Sequence, residues 1–290
     1  MSIIIFLNGD RGLSVLKKII TCNYNIDCIV IPEKIKIQTE LLNFCRKNKL
    51  NLHVSPNPNQ DNYILDKKYD LNIIAGYSTI FNKVLINKPR LGTINLHAGK
   101  LPKYRGGSPL NWQLINDESH VWCSIIRVTE KIDSGDILLE KSFKVRDEYD
   151  INTLHKLANK LFSEMIVKVI NIVLSGKKIG TKQDESQASY FHQRSDLDGK
   201  INWGNMYARE VFNFVRALTI PYKGAFTLYN DKIIRIWNVD FKVEKIKGMP
   251  GRIIWLQGIG PFVICKDYAV KLTKYSSFDD IKLLHGTYFQ

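Results

Sequence analysis

Asn95 and His97 stand two residues apart at the end of a short β-branched and apolar run, Thr93 to His97. Residues two apart in a strand point to one face, so an amide and an imidazole face a single cleft. Further along, Ile132-Asp133-Ser134-Gly135-Asp136 makes a tight turn between two apolar runs, Trp122 to Val128 and Ile137 to Leu139. An aspartate on such a turn can reach a histidine. Amide, imidazole and carboxylate together suit acyl transfer. The histidine takes a proton from an attacking amine or donates as an imidazolium, the aspartate orients and charges it, and the amide donates to an oxygen on which negative charge develops. No covalent nucleophile is required. The stretch from Gly99 to Gly107 that follows the strand is rich in glycine and contains Pro102, and Gly106 and Gly107 permit close approach of backbone. Other chemistries find no support: Gly9-Asp10-Arg11-Gly12 lacks the spacing of a dinucleotide fingerprint, and no P-loop, HExxH, EF-hand or GxSxG pattern occurs.

The elements that must position these residues alternate between strand and helix. Ser2 to Leu7, Ile26 to Ile31, Leu52 to Val54, Leu71 to Ala75 and Thr93 to His97 read as strands, while Gly12 to Thr21 and Leu41 to Lys47 read as helices. Such alternation implies an α/β fold with a Rossmann-like, mostly parallel sheet, whose ligands sit in the loops beyond the carboxyl ends of the strands. The loops after Leu7, Ala75 and His97 are therefore the places to look. Asn152 to Ser175 predicts a long helix with its apolar stripe in the core, Lys177 to Gln187 is an aperiodic surface stretch, and Trp203 to Leu218 predicts a further helix. From Pro221 the texture changes to short runs punctuated by Gly or Pro, which predicts a small β-barrel or sandwich. The expected organisation is a catalytic domain over residues 1–200 and a helix plus small β domain over 201–290.

The chain has 290 residues, 44% hydrophobic and 24% charged, enough for one large or two modest soluble domains. Its net charge of +14 invites a polyanionic or nucleotide-linked partner, although no basic tail or block concentrates it. Five scattered cysteines without CxxC spacing argue against both a disulfide framework and a zinc site, so no metal is expected. The apolar tract from Leu161 to Leu174 is interrupted by Glu164 and Lys168, and Met1 to Leu7 is too short for a signal peptide. Cytoplasmic location without membrane insertion is the expectation.

Asn95-Leu96-His97, Leu101-Pro102 with Arg105-Gly106, and Ile132-Asp133-Ser134-Gly135-Asp136 resemble the signature of folate-dependent formyltransferases. Phe214 to Leu218 and Pro221 to Phe226 are similar to the junction with a small OB-like domain in methionyl-tRNA and amino-sugar formyltransferases. The resemblance implies formyl transfer from N10-formyltetrahydrofolate to a primary amine, with Asn95, His97 and Asp133 as the catalytic triad. It also implies that the folate lies against Gly76, Tyr77, Ile80 and Phe81, bordered by Leu101, Pro102 and Asp136. Transfer-RNA formyltransferases carry a basic insertion after the second strand, whereas Ile31 to Gln38 here passes almost directly into the next helix. Asp184 to Phe191, followed by Arg194 and Asp196, is instead similar to the formyltransferase of 4-amino-arabinose lipid modification. The implied acceptor is thus an amino sugar linked to dTDP, UDP or GDP, of the kind used in lipopolysaccharide and O-antigen synthesis, and nucleic acid is the less expected partner. Arginine suits a diphosphate because its planar fork donates in pairs. The candidate substrate contacts are Arg11, Lys103, Tyr104, Arg105, Gly106, Arg194 and Tyr222, with Trp112 as a further neighbour of sugar or base. A homodimer through the late domain is plausible by analogy. A non-catalytic binding module remains the third alternative, opposed by the intact triad.

Overall fold

The computed structural model describes residues 2–33, 39–176, 179–277 and 281–290. In chain order its elements are β1 (Ser2–Leu7), α1 (Gly9–Ile20), β2 (Asn25–Ile31), α2 (Thr39–Lys47), β3 (Leu52–Val54), α3 (Asn62–Leu65), β4 (Leu71–Ala75), α4 (Lys83–Asn87) and β5 (Thr93–His97). There follow β6 (Arg105–Gly106), α5 (Pro109–Ile115), β7 (His120–Arg127), β8 (Ile137–Lys144), α6 (Ile151–Leu174), β9 (Tyr190–Phe191) and α7 (Ala208–Leu218). Last come β10 (Ala225–Tyr229), β11 (Lys232–Asp240), β12 (Ile253–Leu256), β13 (Gly260–Ile264) and β14 (Ala269–Ser277). The chain divides into two compact units. One comprises Met1–Pro109, Trp122–Phe143 and His155–Phe191, the other Leu110–Val121, Lys144–Leu154 and His192–Gln290. Relative to a single cut near residue 200, the second unit also takes in two earlier stretches.

In the first unit seven strands form a sheet in the order β3-β2-β1-β4-β5-β7-β8. The β1–β2, β1–β4, β2–β3 and β4–β5 pairs are parallel. Ile3, Ile4, Ile5, Phe6 and Leu7 are all fully buried, as expected of a central strand covered on both faces. The sheet then reverses: β7 runs antiparallel to β5, with Arg127 opposite Ile94 and Ser124 opposite His97. The loop leaving β7 therefore starts beside the amino end of β5 and must run back along that strand to meet Asn95 and His97. The short strand β6 pairs in parallel with β9, tying Arg105 to Tyr190 and Gly106 to Phe191.

The second unit is built on a five-stranded sheet, β10-β11-β14-β13-β12, in which every neighbouring pair is antiparallel. The Asn230-Asp231 turn joining β10 to β11 has φ of 50° and 62°, the conformation that two-residue hairpins require. Helix α7 packs on this sheet through Val211, Phe214, Val215 and Leu218. It begins at Ala208, five residues later than the apolar spacing predicts. Gly204 and Asn205 interrupt the helix pattern, Glu210 accepts from the Tyr207 N–H at 2.8 Å, and Trp203 instead fills the core with its indole donating to Thr227 Oγ1. Of the passage from β2 to α2, expected to lack a basic insertion, Lys34 to Gln38 lie outside the described residues. No helix among the described residues is long and apolar enough to cross a membrane.

Candidate active site

Alternation along β5 buries Ile94 and Leu96 and turns Asn95 and His97 the other way, Asn95 half-buried and His97 only 5% exposed. The turn after β7 lays Asp133 against both. Its Oδ1 lies 3.4 Å from Asn95 Nδ2 and its Oδ2 3.4 Å from His97 Nδ1. The Gly106 N–H donates to Oδ2 at 2.9 Å, a hydrogen bond strengthened by the carboxylate charge. Asp133 itself has φ of 49°, the left-handed region that aspartate visits more readily than most residues. On the far side of the imidazole, Nε2 lies 2.5 Å from the Tyr104 carbonyl oxygen. A carbonyl only accepts, so Nε2 carries the hydrogen and donates it. Nδ1 is then the nitrogen that faces Asp133.

Two glycines make this approach geometrically feasible. A Cβ on Gly99 would stand 2.6 Å from His97 Nε2 and 2.7 Å from the Tyr104 oxygen, so any side chain there would push the imidazole from its carbonyl. Gly106 has φ of 90°, and a Cβ there would collide with the Phe191 carbonyl oxygen of the neighbouring strand. Beneath the site, the buried Ser124 hydroxyl lies 2.8 Å from the Gly99 carbonyl and 2.7 Å from Glu140 Oε1. Its one proton serves one of these acceptors at a time.

Arg105, expected among the diphosphate ligands, has another role. Its side chain is fully buried, and a buried guanidinium must be paired. It donates to Glu185 Oε1 and Oε2 at 2.7 and 3.2 Å, to Gln183 Oε1 from Nε and Nη2 at 3.1 and 2.9 Å, and to the Tyr190 hydroxyl at 2.9 Å. The guanidinium beside it holds the Glu185 carboxyl down to about 2. Arg105 is a brace committed to its own chain. Sequence reasoning missed Gln183, placing it in an aperiodic stretch, and the signal lay in the adjoining motif Asp184 to Phe191.

The other predicted residues distribute unevenly. Tyr77 and Phe81 are 7% and 5% exposed, packed edge-on against Phe6, with the Tyr77 hydroxyl donating to the Ser55 carbonyl at 3.2 Å. Their rings serve the core, and burial pushes the Tyr77 phenol up to about 12. Ile80, 69% exposed, is the apolar side chain that this loop turns outward, and Gly76 leaves β4 with φ of 78°. Leu101 is buried beside the half-buried Pro102, joined by a cis peptide. Asp136 is half-buried, its carbonyl accepting from the Arg127 N–H at 3.0 Å. Tyr104 is buried and stacks on Phe191 at 5.0 Å, while Lys103 is exposed. Half-buried Arg11 lies over the Phe162 ring, its Nε 3.4 Å from Asn159 Oδ1. Arg194 and Tyr222 belong to the second unit. There Arg194 lies over the rings of Trp112 and Phe214 and donates to the Asp198 carbonyl at 2.5 Å, and burial lowers its pKa. Tyr222 is 39% exposed.

A family model described as formyl transferase matches residues 46–170, and one described as the C-terminal domain of formyl transferase matches residues 195–283. Over 211 residues, 72% of this chain, the sequence is 36% identical to the bifunctional polymyxin resistance protein ArnA of Wigglesworthia glossinidia brevipalpis. Over 191 residues, 66% of this chain, it is 31% identical to a methionyl-tRNA formyltransferase of Staphylococcus epidermidis. These matches span 32% and 61% of those relatives' own lengths. In fold the chain is similar to WlaRD, a sugar 3N-formyl transferase solved in the presence of dTDP and 5-N-formyl-THF, with a TM-score of 0.73 at 18% identity, covering 97% of this chain and 99% of that one. Matched in both its early and its late part, the protein belongs to the formyl transferase family.

Proposed function

We propose that the protein moves a formyl group from N10-formyltetrahydrofolate to the amine of a nucleotide-linked amino sugar, by direct attack and without a covalent enzyme intermediate. The observation that carries this reading is the convergence of Asn95 and His97 on Asp133 within 3.4 Å. Bound folate supplies an activated formyl group on a nitrogen that leaves readily. The residues present fit such a group. The loop after β4 turns Ile80 outward, and Asn59 braces that loop, its Nδ2 donating to the Ile80 carbonyl at 2.9 Å and its Oδ1 accepting from the Asn82 N–H at 2.8 Å. A planar heterocycle with amide-like edges calls for an apolar wall and fixed backbone of this kind.

Each side chain then has a role that its geometry permits. Asn95 Nδ2 has a second hydrogen beyond the one directed at Asp133 and donates it to the oxygen that gains charge as the amine adds. His97, with Nε2–H committed to the Tyr104 carbonyl, takes the amine's proton at Nδ1 and returns it to the departing folate nitrogen. Asp133, itself fixed by the Gly106 N–H, stabilises the imidazolium so formed. Arg105 is not available as a diphosphate ligand, because its donors are spent internally, whereas Lys103 is exposed and remains a candidate.

The test is to incubate the protein with N10-formyltetrahydrofolate and amino sugars linked to dTDP, UDP or GDP, alongside charged initiator tRNA, and to look by mass for gain of one formyl group. The similarity to a methionyl-tRNA formyltransferase favours tRNA as the second reading. Under it, the charged tRNA alone gains the group and activity falls steeply with salt. No gain on any acceptor rejects both.

A further inference from the structure

We propose that Gln183 is a positioning residue for Asp133, holding the main chain of the catalytic turn while Gly106 holds its carboxylate. The kinetic part of this inference rests on the formyl-transfer reading above. The Gln183 amide nitrogen has two hydrogens, and each finds a carbonyl of the turn, Asp133 and Gly135, both at 2.7 Å. Its oxygen accepts twice from Arg105, at 3.1 and 2.9 Å. Every donor and acceptor of the amide is used. The guanidinium also decides which way round the amide stands, since a flipped amide would aim hydrogens at Arg105 and its oxygen at two carbonyls.

Arg105 cannot drift, because Glu185 grips it at both oxygens and Tyr190 takes another of its hydrogens. The dipeptide Arg105-Gly106 thus governs Asp133 from two directions, the carboxylate directly through the Gly106 N–H and the backbone indirectly through Gln183. This matters because Asp133 sits at φ of 49°, a conformation that the surrounding structure has to impose. Without the amide, the two carbonyls lose their donors, the turn relaxes, and the carboxylate leaves its place between Asn95 and His97. Gln183 touches no reacting atom in this scheme.

Two substitutions separate positioning from mere stability. Gln183→Leu removes the whole bridge. Gln183→Glu keeps the shape and the acceptor for Arg105 but replaces the two donors with an oxygen. Both lower kcat by about 10-fold or more, with KM for either substrate within about two-fold of wild type, because misplacing a catalytic group penalises the transition state rather than binding. A second readout needs no substrate: the NMR ring signals of His97 at one fixed pH, assigned with His97→Asn, move in both variants as Asp133 leaves its place 3.4 Å from Nδ1. If wild-type protein formylates nothing, the functional reading fails and the His97 ring signals still decide the role of Gln183. The inference is overturned if either folded variant keeps its kcat or if the His97 signals stay put, and equally if the loss of activity only tracks the unfolded fraction.

Discussion

Replacing Asp133 with asparagine keeps volume and shape but removes one acceptor and the charge. The carboxylate now meets two donors, the Gly106 N–H at 2.9 Å on Oδ2 and the Asn95 amide at 3.4 Å on Oδ1, with His97 Nδ1 3.4 Å from Oδ2. An asparagine offers one oxygen, so whichever way it turns, one donor faces an NH2 group. A donor left without its acceptor costs about 1–3 kcal/mol, and the imidazolium loses its counter-charge as well. A rise in barrier of about 3 kcal/mol slows kcat by about 10², in keeping with the loss of general-base or electrostatic help. The assay is formyl gain by mass under saturating N10-formyltetrahydrofolate and the acceptor found active, with both KM values and the thermal midpoint measured in parallel. His97→Asn is expected to lose at least as much. Folded Asp133→Asn protein with kcat within about three-fold of wild type would refute the reasoning, since among the described residues no second carboxylate is in contact with His97 Nδ1.

Other outcomes follow from charges elsewhere. Arg105 and its neighbours hold the folded Glu185 carboxyl well below its ordinary value of 4.5, at about 2. Its contribution is therefore complete above about pH 4.5 and is lost as pH falls through about 2. Urea midpoints of wild type and Glu185→Gln should differ at pH 6 and converge toward pH 2, and a gap that persists unchanged at the acid end would discard the pairing argument. Burial pushes His155 down from 6.5 to about 4, so the unfolded chain binds its proton first and stability drops as pH falls from about 6.5 to about 4. His155→Leu should flatten that part of the stability profile, and an undiminished slope would count against burial as the cause. In the second unit, buried Arg216 donates to the carbonyls of Arg146, Asp147 and Tyr149. Arg216→Leu takes a donor from all three, leaving the Arg146 carbonyl only the Tyr149 N–H at 3.1 Å, and should destabilise the protein by about 3 kcal/mol in urea unfolding; a change below about 1 kcal/mol would contradict this account.

The strands that carry Asn95 and His97 are legible because a buried parallel strand is a short apolar run, and the Asp-Ser-Gly-Asp turn announces itself by residue type. What pairs with what is less legible. Nothing local tells that β7 runs against β5, so the path of the Asp133 turn back along the strand is visible only once the sheet register is known. Arg105 misleads for a related reason. An arginine in a glycine-rich loop reads as a free phosphate ligand until a glutamate, a glutamine and a tyrosine from a distant stretch close around it. Tyr77 and Phe81 show the opposite ambiguity, since apolar residues in a loop serve a core as readily as a ligand, and here both join a core cluster. The late start of α7 shows aromatic residues mimicking helical spacing while packing from a turn.

The pairing of β6 with β9 sets an order on biosynthesis. A ribosome that has completed the first matched stretch, at residue 170, has already delivered Asn95, His97 and Asp133, yet Gln183, Glu185 and Tyr190 are still untranslated. The nascent chain thus carries Asn95, His97 and Asp133 before it can lock them, and a fragment trimmed to that boundary would hold the right letters without their grammar. The last strand partner of Gly106 arrives with Phe191, in the interval between the matched stretches ending at 170 and beginning at 195.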